Sequence, residues 1–182
     1  MGKLIFVTGG SRSGKSVFAE QLTNTIGGNK AAYVATAEVL DPEMEQRVSA
    51  HRSRRPSQWV TFEEPIALWE IIADTGNRFP VTMVDCISMW VTNLMFKEPQ
   101  AVLSGTEKLI DVIKEIDNTV VLVSGEVGWG LIGDNHLSRQ FSDLLGTANQ
   151  MLAAAADDVY ATISGLPVQL KQGGKTTLWK EK

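Results

Sequence analysis

A phosphate-binding loop near the start of the chain constrains the possible folds more than any other feature. Residues 9–16 read Gly-Gly-Ser-Arg-Ser-Gly-Lys-Ser and directly follow the apolar run at 4–8. Glycines let the backbone curl around an anion, while N–H groups of the loop and of the next helix point at it. Lys15 adds a positive charge, and Ser16 is placed to bind Mg²⁺. This context favours a nucleoside triphosphate site over a plain glycine-rich turn.

Apolar runs typical of buried strands alternate with longer segments of helical periodicity along the whole chain. This alternation predicts an α/β fold of the P-loop NTPase class, in which a mostly parallel central sheet is flanked by helices. The length of 182 residues fits a single nucleotide-binding catalytic domain over residues 1–182. The mostly polar segment 173–182 is interpreted as a frayed tail or a docking arm. Predicted strands cover residues 4–8, 31–35, 81–85, 119–124 and 159–164, and predicted helices cover 15–26, 42–54, 65–75, 88–96, 107–116 and 137–155.

Charge and cysteine content exclude several classes of function. The chain has 17 Lys and Arg against 21 Asp and Glu, a net charge of -4, so it has no general positive field to hold nucleic acid. Cys86 is the only cysteine, which excludes an intrachain disulfide framework and a multi-cysteine metal site. Nothing in the sequence resembles a signal peptide or a membrane span. We therefore expect a cytoplasmic protein that acts on small molecules.

The predicted strand at 81–85 ends in an acidic residue, Asp85, which is a candidate metal ligand. We expect this strand to lie beside the strand that leads into the phosphate loop. A carboxylate there would hold Mg²⁺ or its bound water together with Ser16 and phosphate oxygens. The alternative is that Asp85 caps the helix near Ser88, since Asp is common at helix starts.

Residues 45–56 combine a histidine with an unusual density of arginine. Met44, Val48 and His51 are spaced by four and three residues, so His51 would lie at the edge of an apolar helix face in a purely structural role. The arginines around it instead suit a triphosphate or a phosphorylated substrate. An imidazole among phosphates can attack phosphorus and form a covalent phosphoramidate, so His51 is also a candidate nucleophile.

Taken in order, these and further motifs resemble one enzyme family over nearly the full length of the chain. That family is the bifunctional adenosylcobinamide kinase / adenosylcobinamide-phosphate guanylyltransferase of cobalamin (vitamin B12) biosynthesis. The segments that carry the resemblance are 8–16, 33–37, 47–59, 61–65, 84–86, 90–94, 126–130, 149–150, 154–159 and 164–168.

The resemblance implies a RecA-like P-loop domain, assembled as a homotrimer, in which one nucleotide region supports two reactions. The first transfers a phosphoryl group from ATP or GTP to the aminopropanol hydroxyl of adenosylcobinamide. The second moves GMP from GTP, through guanylylated His51, onto the new phosphate and yields adenosylcobinamide-GDP and pyrophosphate. His51 and Lys15 would be catalytic, and Ser16 and Asp85 would bind Mg²⁺. The residues that match the nucleotide contacts of the family are Gly9, Gly10, Ser11, Arg12, Ser13, Gly14, Lys15, Ser16, Thr36, Ala37, Arg52, Ser53, Arg54, Arg55, Glu63 and Asp85.

Several alternatives stay open at the level of sequence. Glu63 follows the run 59–62 and would bind guanine or ribose, or would simply be a solvated charge at a strand end. Residues 133–136 differ from the family pattern, so the corrinoid contacts there stay open. Two other classes of function fit the phosphate loop. One is a small-molecule kinase without guanylyl transfer, and the other is a nucleotide switch that orders a partner surface such as the segment around Trp179.

Overall fold

A central sheet of eight strands organises the part of the chain that the structure describes. The computed structural model describes residues 2–37, 55–130 and 133–177. The helices are α1 Lys15–Gly27, α2 Leu68–Gly76, α3 Ile87–Lys97, α4 Ala101–Glu115 and α5 His136–Ala155. The strands are β1 Lys3–Gly9, β2 Ala31–Ala35, β3 Val60–Glu63, β4 Val81–Asp85, β5 Thr119–Gly125, β6 Asp158–Ile163, β7 Leu166–Gln172 and β8 Lys175–Thr176.

The strands follow the order β3-β2-β4-β5-β1-β6-β7-β8 across the sheet. Pairing is parallel from β3 to β6, whereas β7 and β8 join as antiparallel strands. The carboxyl ends of the six parallel strands therefore meet at one edge of the sheet, which is where ligands bind in open α/β folds. The mostly parallel α/β sheet confirms the predicted fold class.

Helices cover both faces of the sheet, and the alternation of side chains along β1 shows how. Leu4 and Phe6 pack into a large cluster with buried residues of α2, α3, α4 and α5. Ile5 and Val7 point the other way, into a smaller cluster that includes Ala19 of α1. Because both faces are buried, the central strands are almost continuously apolar, as expected for a parallel sheet.

The predicted elements in the described regions are present, with shifted ends. Strands β2 and β4 have the predicted bounds, and β1, β5 and β6 differ by one residue or so at their ends. Helix α4 begins at Ala101, whereas the predicted start is 107. The additional turns include Gly105, which packs closely on Trp69: a Cβ atom added there would lie 3.3 Å from the Trp69 side chain. The helix predicted at 42–54 lies outside the described residues. No helix in the described ranges has both the length and the apolar character needed to cross a bilayer.

The prediction of a frayed tail or docking arm from residue 173 is wrong for residues 173–177. Gly173 and Gly174 have φ values of +54° and +79° and form a tight turn, after which β8 pairs with β7. The N–H of Thr177 donates to the Leu170 carbonyl at 2.9 Å. Glycine is needed at this turn because positive φ is unfavourable for residues with a Cβ atom. Residues 178–182 lie outside the described chain.

Candidate active site

The phosphate loop connects β1 to α1 at the carboxyl edge of the sheet. Gly14 is the N-cap of α1 with a φ of +92° and provides no capping side chain, which suits a helix start that receives an anion. The Lys15 Nζ donates to the Gly10 carbonyl at 3.2 Å, and the Ser13 N–H donates to the same oxygen at 3.3 Å. The loop is therefore curled on itself, with the lysine folded across it.

Neighbouring strands hold the loop in this shape. The Ser13 hydroxyl is hydrogen-bonded to the Thr162 hydroxyl at 2.7 Å, and the Gly165 N–H donates to the Ser13 carbonyl at 2.9 Å. On the other side, the Glu126 N–H donates to the Gly9 carbonyl at 2.9 Å. Because residues at or just after the ends of both flanking strands hydrogen-bond to it, the loop is preorganised for a ligand.

Asp85 lies at the end of β4 and faces the loop. We expected β4 to lie next to β1, and this is wrong: β5 lies between them, an order that sequence patterns do not encode. The Ser16 hydroxyl nevertheless donates to the Asp85 Oδ1 at 3.4 Å. The N-cap position of α3 is occupied by Cys86. Two hard oxygen donors at this separation fit Mg²⁺, which takes few protein ligands and completes its shell with phosphates and water.

Tyr33 links this carboxylate to the arginine-rich segment. The Tyr33 hydroxyl donates to the Asp85 Oδ2 at 3.2 Å. The guanidinium carbon of Arg55 lies 3.4 Å from the centroid of the Tyr33 ring. The predicted nucleophile His51 and the predicted contacts Arg52, Ser53 and Arg54 lie outside the described residues. Within the described chain, the segment that follows His51 thus begins beside the candidate metal ligand.

The remaining predicted nucleotide contacts lie at the ends of the two outer parallel strands. The buried Thr36 hydroxyl donates to the Cys86 carbonyl at 2.7 Å and accepts from the Cys86 N–H at 2.9 Å, so it fixes the turn after β4. Ala37 follows it and is partly exposed. Glu63 is the exposed last residue of β3, in register with Ala35.

Burial, with the nearby Asp85 carboxylate adding to it, raises the pKa of the Cys86 thiol to about 11.

Two asparagines in the segments that carry the family resemblance, to which the sequence assigned no role, position this edge of the sheet. Asn93 Nδ2 donates to the Thr36 carbonyl at 2.8 Å and to the Pro65 carbonyl at 3.1 Å. Asn149 accepts from the Ser124 hydroxyl at 2.7 Å. Both asparagines lie on helices packed against the sheet. An amide on the inner side of a predicted helix is the sequence signal that indicates such a positioning role, because a buried amide needs hydrogen-bond partners.

A cleft of about 910 Å³ opens beside the loop. Its walls are largely apolar and come from α3, α5, the end of β6 and the segment after β5. The sequence left the corrinoid contacts at residues 133–136 open, and Gly133 lines this cleft. The aromatic residue in the glycine-rich segment after β5 was a further signal available in the sequence. Lining side chains include Phe96, Val127, Trp129, Leu137, Phe141 and Ile163.

Comparison with solved structures agrees with the fold. The flagellar accessory protein FlaH from Methanocaldococcus jannaschii superposes with a TM-score of 0.54 at 13% identity, covering 96% of this chain and 81% of that chain. A second solved structure, an ATPase domain, superposes with a TM-score of 0.51 at 12% identity, covering 87% of this chain and 68% of that chain. Together with the loop geometry, these similarities confirm the P-loop NTPase fold.

Comparison with known sequences identifies the family. The bifunctional adenosylcobalamin biosynthesis protein CobP of Pseudomonas aeruginosa is 38% identical over 166 residues, which cover 91% of this chain and 95% of that protein. The bifunctional adenosylcobalamin biosynthesis protein CobU of Escherichia coli is 38% identical over 182 residues, with 92% and 99% covered. The sequence model for cobinamide kinase / cobinamide phosphate guanyltransferase matches residues 5–170. On this match, and on the resemblance in its motifs, the chain belongs to the cobinamide kinase / cobinamide phosphate guanyltransferase family.

Proposed function

We propose that this protein phosphorylates adenosylcobinamide with ATP or GTP and then transfers GMP from GTP to adenosylcobinamide phosphate through His51. The observation that carries the proposal is the preorganised phosphate loop facing the Asp85 carboxylate, with Arg55 beside it at the end of the histidine segment. Membership of the family supplies the pair of reactions and the corrinoid substrate.

The phosphorylation step uses the loop directly. The loop N–H groups and Lys15 bind the triphosphate and stabilise the charge that grows on the leaving phosphates. Ser16 and Asp85 would hold Mg²⁺, which supplies further positive charge to the phosphate oxygens when it is bound. The acceptor hydroxyl oxygen attacks the γ-phosphorus, the bond to the bridging oxygen breaks, and the hydroxyl proton is released. No side chain of the protein is modified in this step.

The guanylyl transfer needs a nucleophile on the protein. A neutral His51 nitrogen attacks the α-phosphorus of GTP, a P–N bond forms, and pyrophosphate leaves. An oxygen of adenosylcobinamide phosphate then attacks the same phosphorus, and His51 is released as adenosylcobinamide-GDP forms. Arg52, Ser53, Arg54 and Arg55 would hold the phosphates of GTP in line with His51 while His51 is guanylylated.

The other predicted contacts complete the proposed nucleotide site. Thr36, Ala37 and Glu63 lie at the carboxyl edge of the sheet, where they would meet the base or ribose, as would be expected of a ligand at this edge. We propose that the protein is cytoplasmic and forms a homotrimer, as the family resemblance implies.

The test of this function is the intact mass of the protein after incubation with GTP and Mg²⁺. We expect an adduct of one GMP that is stable to alkali and lost in acid, because a phosphoramidate breaks once its nitrogen is protonated. His51→Asn should lose the adduct and guanylyl transfer but keep phosphorylation of adenosylcobinamide, since that step needs no protein nucleophile. Lys15→Ala should lose both reactions by a factor on the order of a hundred or more.

If the wild-type protein phosphorylates adenosylcobinamide but does not form the GMP adduct, the covalent mechanism is contradicted. That outcome would support the alternative of a P-loop kinase without guanylyl transfer. Near-normal rates of one reaction in Lys15→Ala would show that this reaction does not use the phosphate loop.

A further inference from the structure

Large apolar side chains remain exposed around the cleft beside the phosphate loop. Phe96 is 69% exposed, Trp129 57%, Ile163 51% and Leu137 47%, and all four line the cleft. Single exposed apolar side chains are ordinary on a protein surface, but a group of them around a concave surface marks a contact site. The cleft is therefore built to be covered by something that is itself substantially apolar.

The position of the cleft indicates which reactant enters it. Loop residues 10–13 form one of its walls, and a Cβ atom built on Gly10 would lie 3.9 Å from Trp129 Cε3. Lys15 and Asp85, the proposed contacts of the nucleotide phosphates and the metal, are not part of its lining. An occupant of the cleft thus reaches the loop from the side away from the metal ligand. This is the place for a phosphoryl acceptor, which must approach bound nucleotide from outside its own binding groups.

The polar groups of the cleft fit an acceptor that carries amides and ends in a phosphate ester. Thr92, Ser138 and Ser142 contribute hydroxyl groups, which can pair with neutral amides. Arg12 is exposed where the cleft meets the loop, and its guanidinium suits a phosphate ester. Cobinamide has matching chemistry, because its corrin macrocycle carries methyl groups and amide side chains and receives a phosphate in the first reaction.

From these contacts we infer that the cleft binds the corrinoid of both reactions, with the macrocycle packed against Trp129 and its phosphate facing Arg12. This inference rests on the proposed function, and it adds the location of the acceptor site. The competing occupant is a second copy of this chain lying on the same apolar side chains. The phosphate loop in the cleft wall and the neutral hydroxyls favour the small molecule, since a subunit seated there would close one side of the loop.

Binding of adenosylcobinamide to cleft variants tests the inference. Equilibrium dialysis, read by the absorbance of the corrin, gives the Kd for the full-length protein. We expect Trp129→Ala to raise the Kd about tenfold, because a large aromatic contact is lost, and Leu137→Ser to raise it at least about threefold. Val60→Ser is the matched control: Val60 is 41% exposed on β3, at the far edge of the sheet, and its Kd should stay within about twofold of wild type.

Two further measurements separate the possible failures. Guanylylation of His51 by GTP without corrinoid should be unchanged in all three variants, and so should the native mass in solution. Suppose that the wild-type protein binds corrinoid and forms the adduct, but that the Kd is unchanged in both cleft variants. That result overturns this inference and does not contradict the proposed function. If the cleft variants change the native mass but not the Kd, the cleft is a contact between copies of the chain, and the inference is also overturned. A wild-type protein that neither binds corrinoid nor forms the adduct contradicts both.

Discussion

The Asp85 carboxylate is oriented by Tyr33, a residue that lies outside the phosphate loop. Tyr33 lies one strand away on β2, is almost completely buried, and donates its hydroxyl to the carboxylate. Burial first, and then the charge of Asp85, hold the pKa of the Tyr33 phenol well above its usual range. The phenol is therefore protonated, and remains a donor, at every pH at which the enzyme works. Its ring also packs against the guanidinium of Arg55, so one side chain contacts both the candidate metal ligand and the arginine segment.

Tyr33→Phe should weaken the use of Mg²⁺ without abolishing activity. We expect the Mg²⁺ concentration for half-maximal phosphorylation to rise about tenfold, because a hydrogen bond to a charged group is lost, while the rate at saturating Mg²⁺ largely recovers. The measurement is a magnesium titration of initial rates. Tyr160→Phe is the matched control, since the Tyr160 hydroxyl accepts from Gln169 Nε2 on β7. A Tyr33→Phe titration that superposes on wild type would show that the hydroxyl does not position Asp85.

At the scale of elements, the loop depends on how closely β1 and β6 approach each other. A Cβ atom built on Gly9 would overlap the Thr162 hydroxyl and lie 2.7 Å from the Thr162 carbonyl oxygen. Backbone atoms cannot move aside as a flexible side chain can. The glycine at this position is thus required by packing between strands, in addition to any approach of a phosphate.

Gly9→Ala should therefore reduce stability and nucleotide binding together. Overpacking of this kind lowers the melting temperature by roughly 5 °C for a chain of this size, and added ATP should no longer raise it because ATP no longer binds. Gly10→Ala is the control for stability, because its added Cβ would meet only Trp129 at an ordinary contact distance of 3.9 Å. Thermal scans with and without ATP give both quantities. Equal melting temperatures for the two variants would contradict the packing argument.

The elements that sequence patterns predicted best are those buried on both faces. Strands β2 and β4 are continuous apolar runs with clear ends, and their bounds agree with the structure. Strands β3 and β7 were missed because they lie toward the edges, are partly exposed and mix polar with apolar residues. The position of Asp85 at this edge could be predicted because it ends a buried strand. The part played by Tyr33 depends on strand order and pairing register, and the exposed lining of the cleft depends on tertiary packing, so neither is encoded in a local pattern.

At the scale of the whole molecule, an ion pair joins the first strand, β1, to the start of β6. Lys3 Nζ lies 2.8 Å from Asp158 Oδ2, and the Gly173 N–H donates to Asp158 Oδ1 at 3.0 Å. Burial of Asp158 favours a raised pKa, but the hydrogen bonds from Lys3 and Gly173 and the charge of Lys3 outweigh it, so the pKa of the carboxyl lies below its usual range. The ionised form is therefore favoured by folding.

Asp158→Asn should destabilise the protein in a pH-dependent way. A carboxyl whose pKa is lowered by folding contributes stability above its unfolded pKa, which is about 4, and loses that contribution as the pH falls through the folded value. The difference in unfolding free energy between wild type and Asp158→Asn should thus be largest near pH 7 and shrink below about pH 4. Urea unfolding at both pH values measures it. Asp111→Asn, in an exposed pair with Lys114, should change stability by no more than about 0.5 kcal/mol at either pH. A gap for Asp158→Asn that is constant with pH would contradict the assignment.

The central place of β1 has a consequence for the order in which the protein takes shape during synthesis. The strand that leads into the phosphate loop leaves the ribosome well before both of its partners, β5 and β6. The hydrogen bond from the Leu4 N–H to the Asp157 carboxylate spans 153 residues of sequence. A nascent chain therefore exposes the apolar side chains of β1 until β5 and β6 have been made, and such late long-range pairing slows folding. Nucleotide cannot assist the early chain, because its binding loop acquires its shape only when β6 arrives.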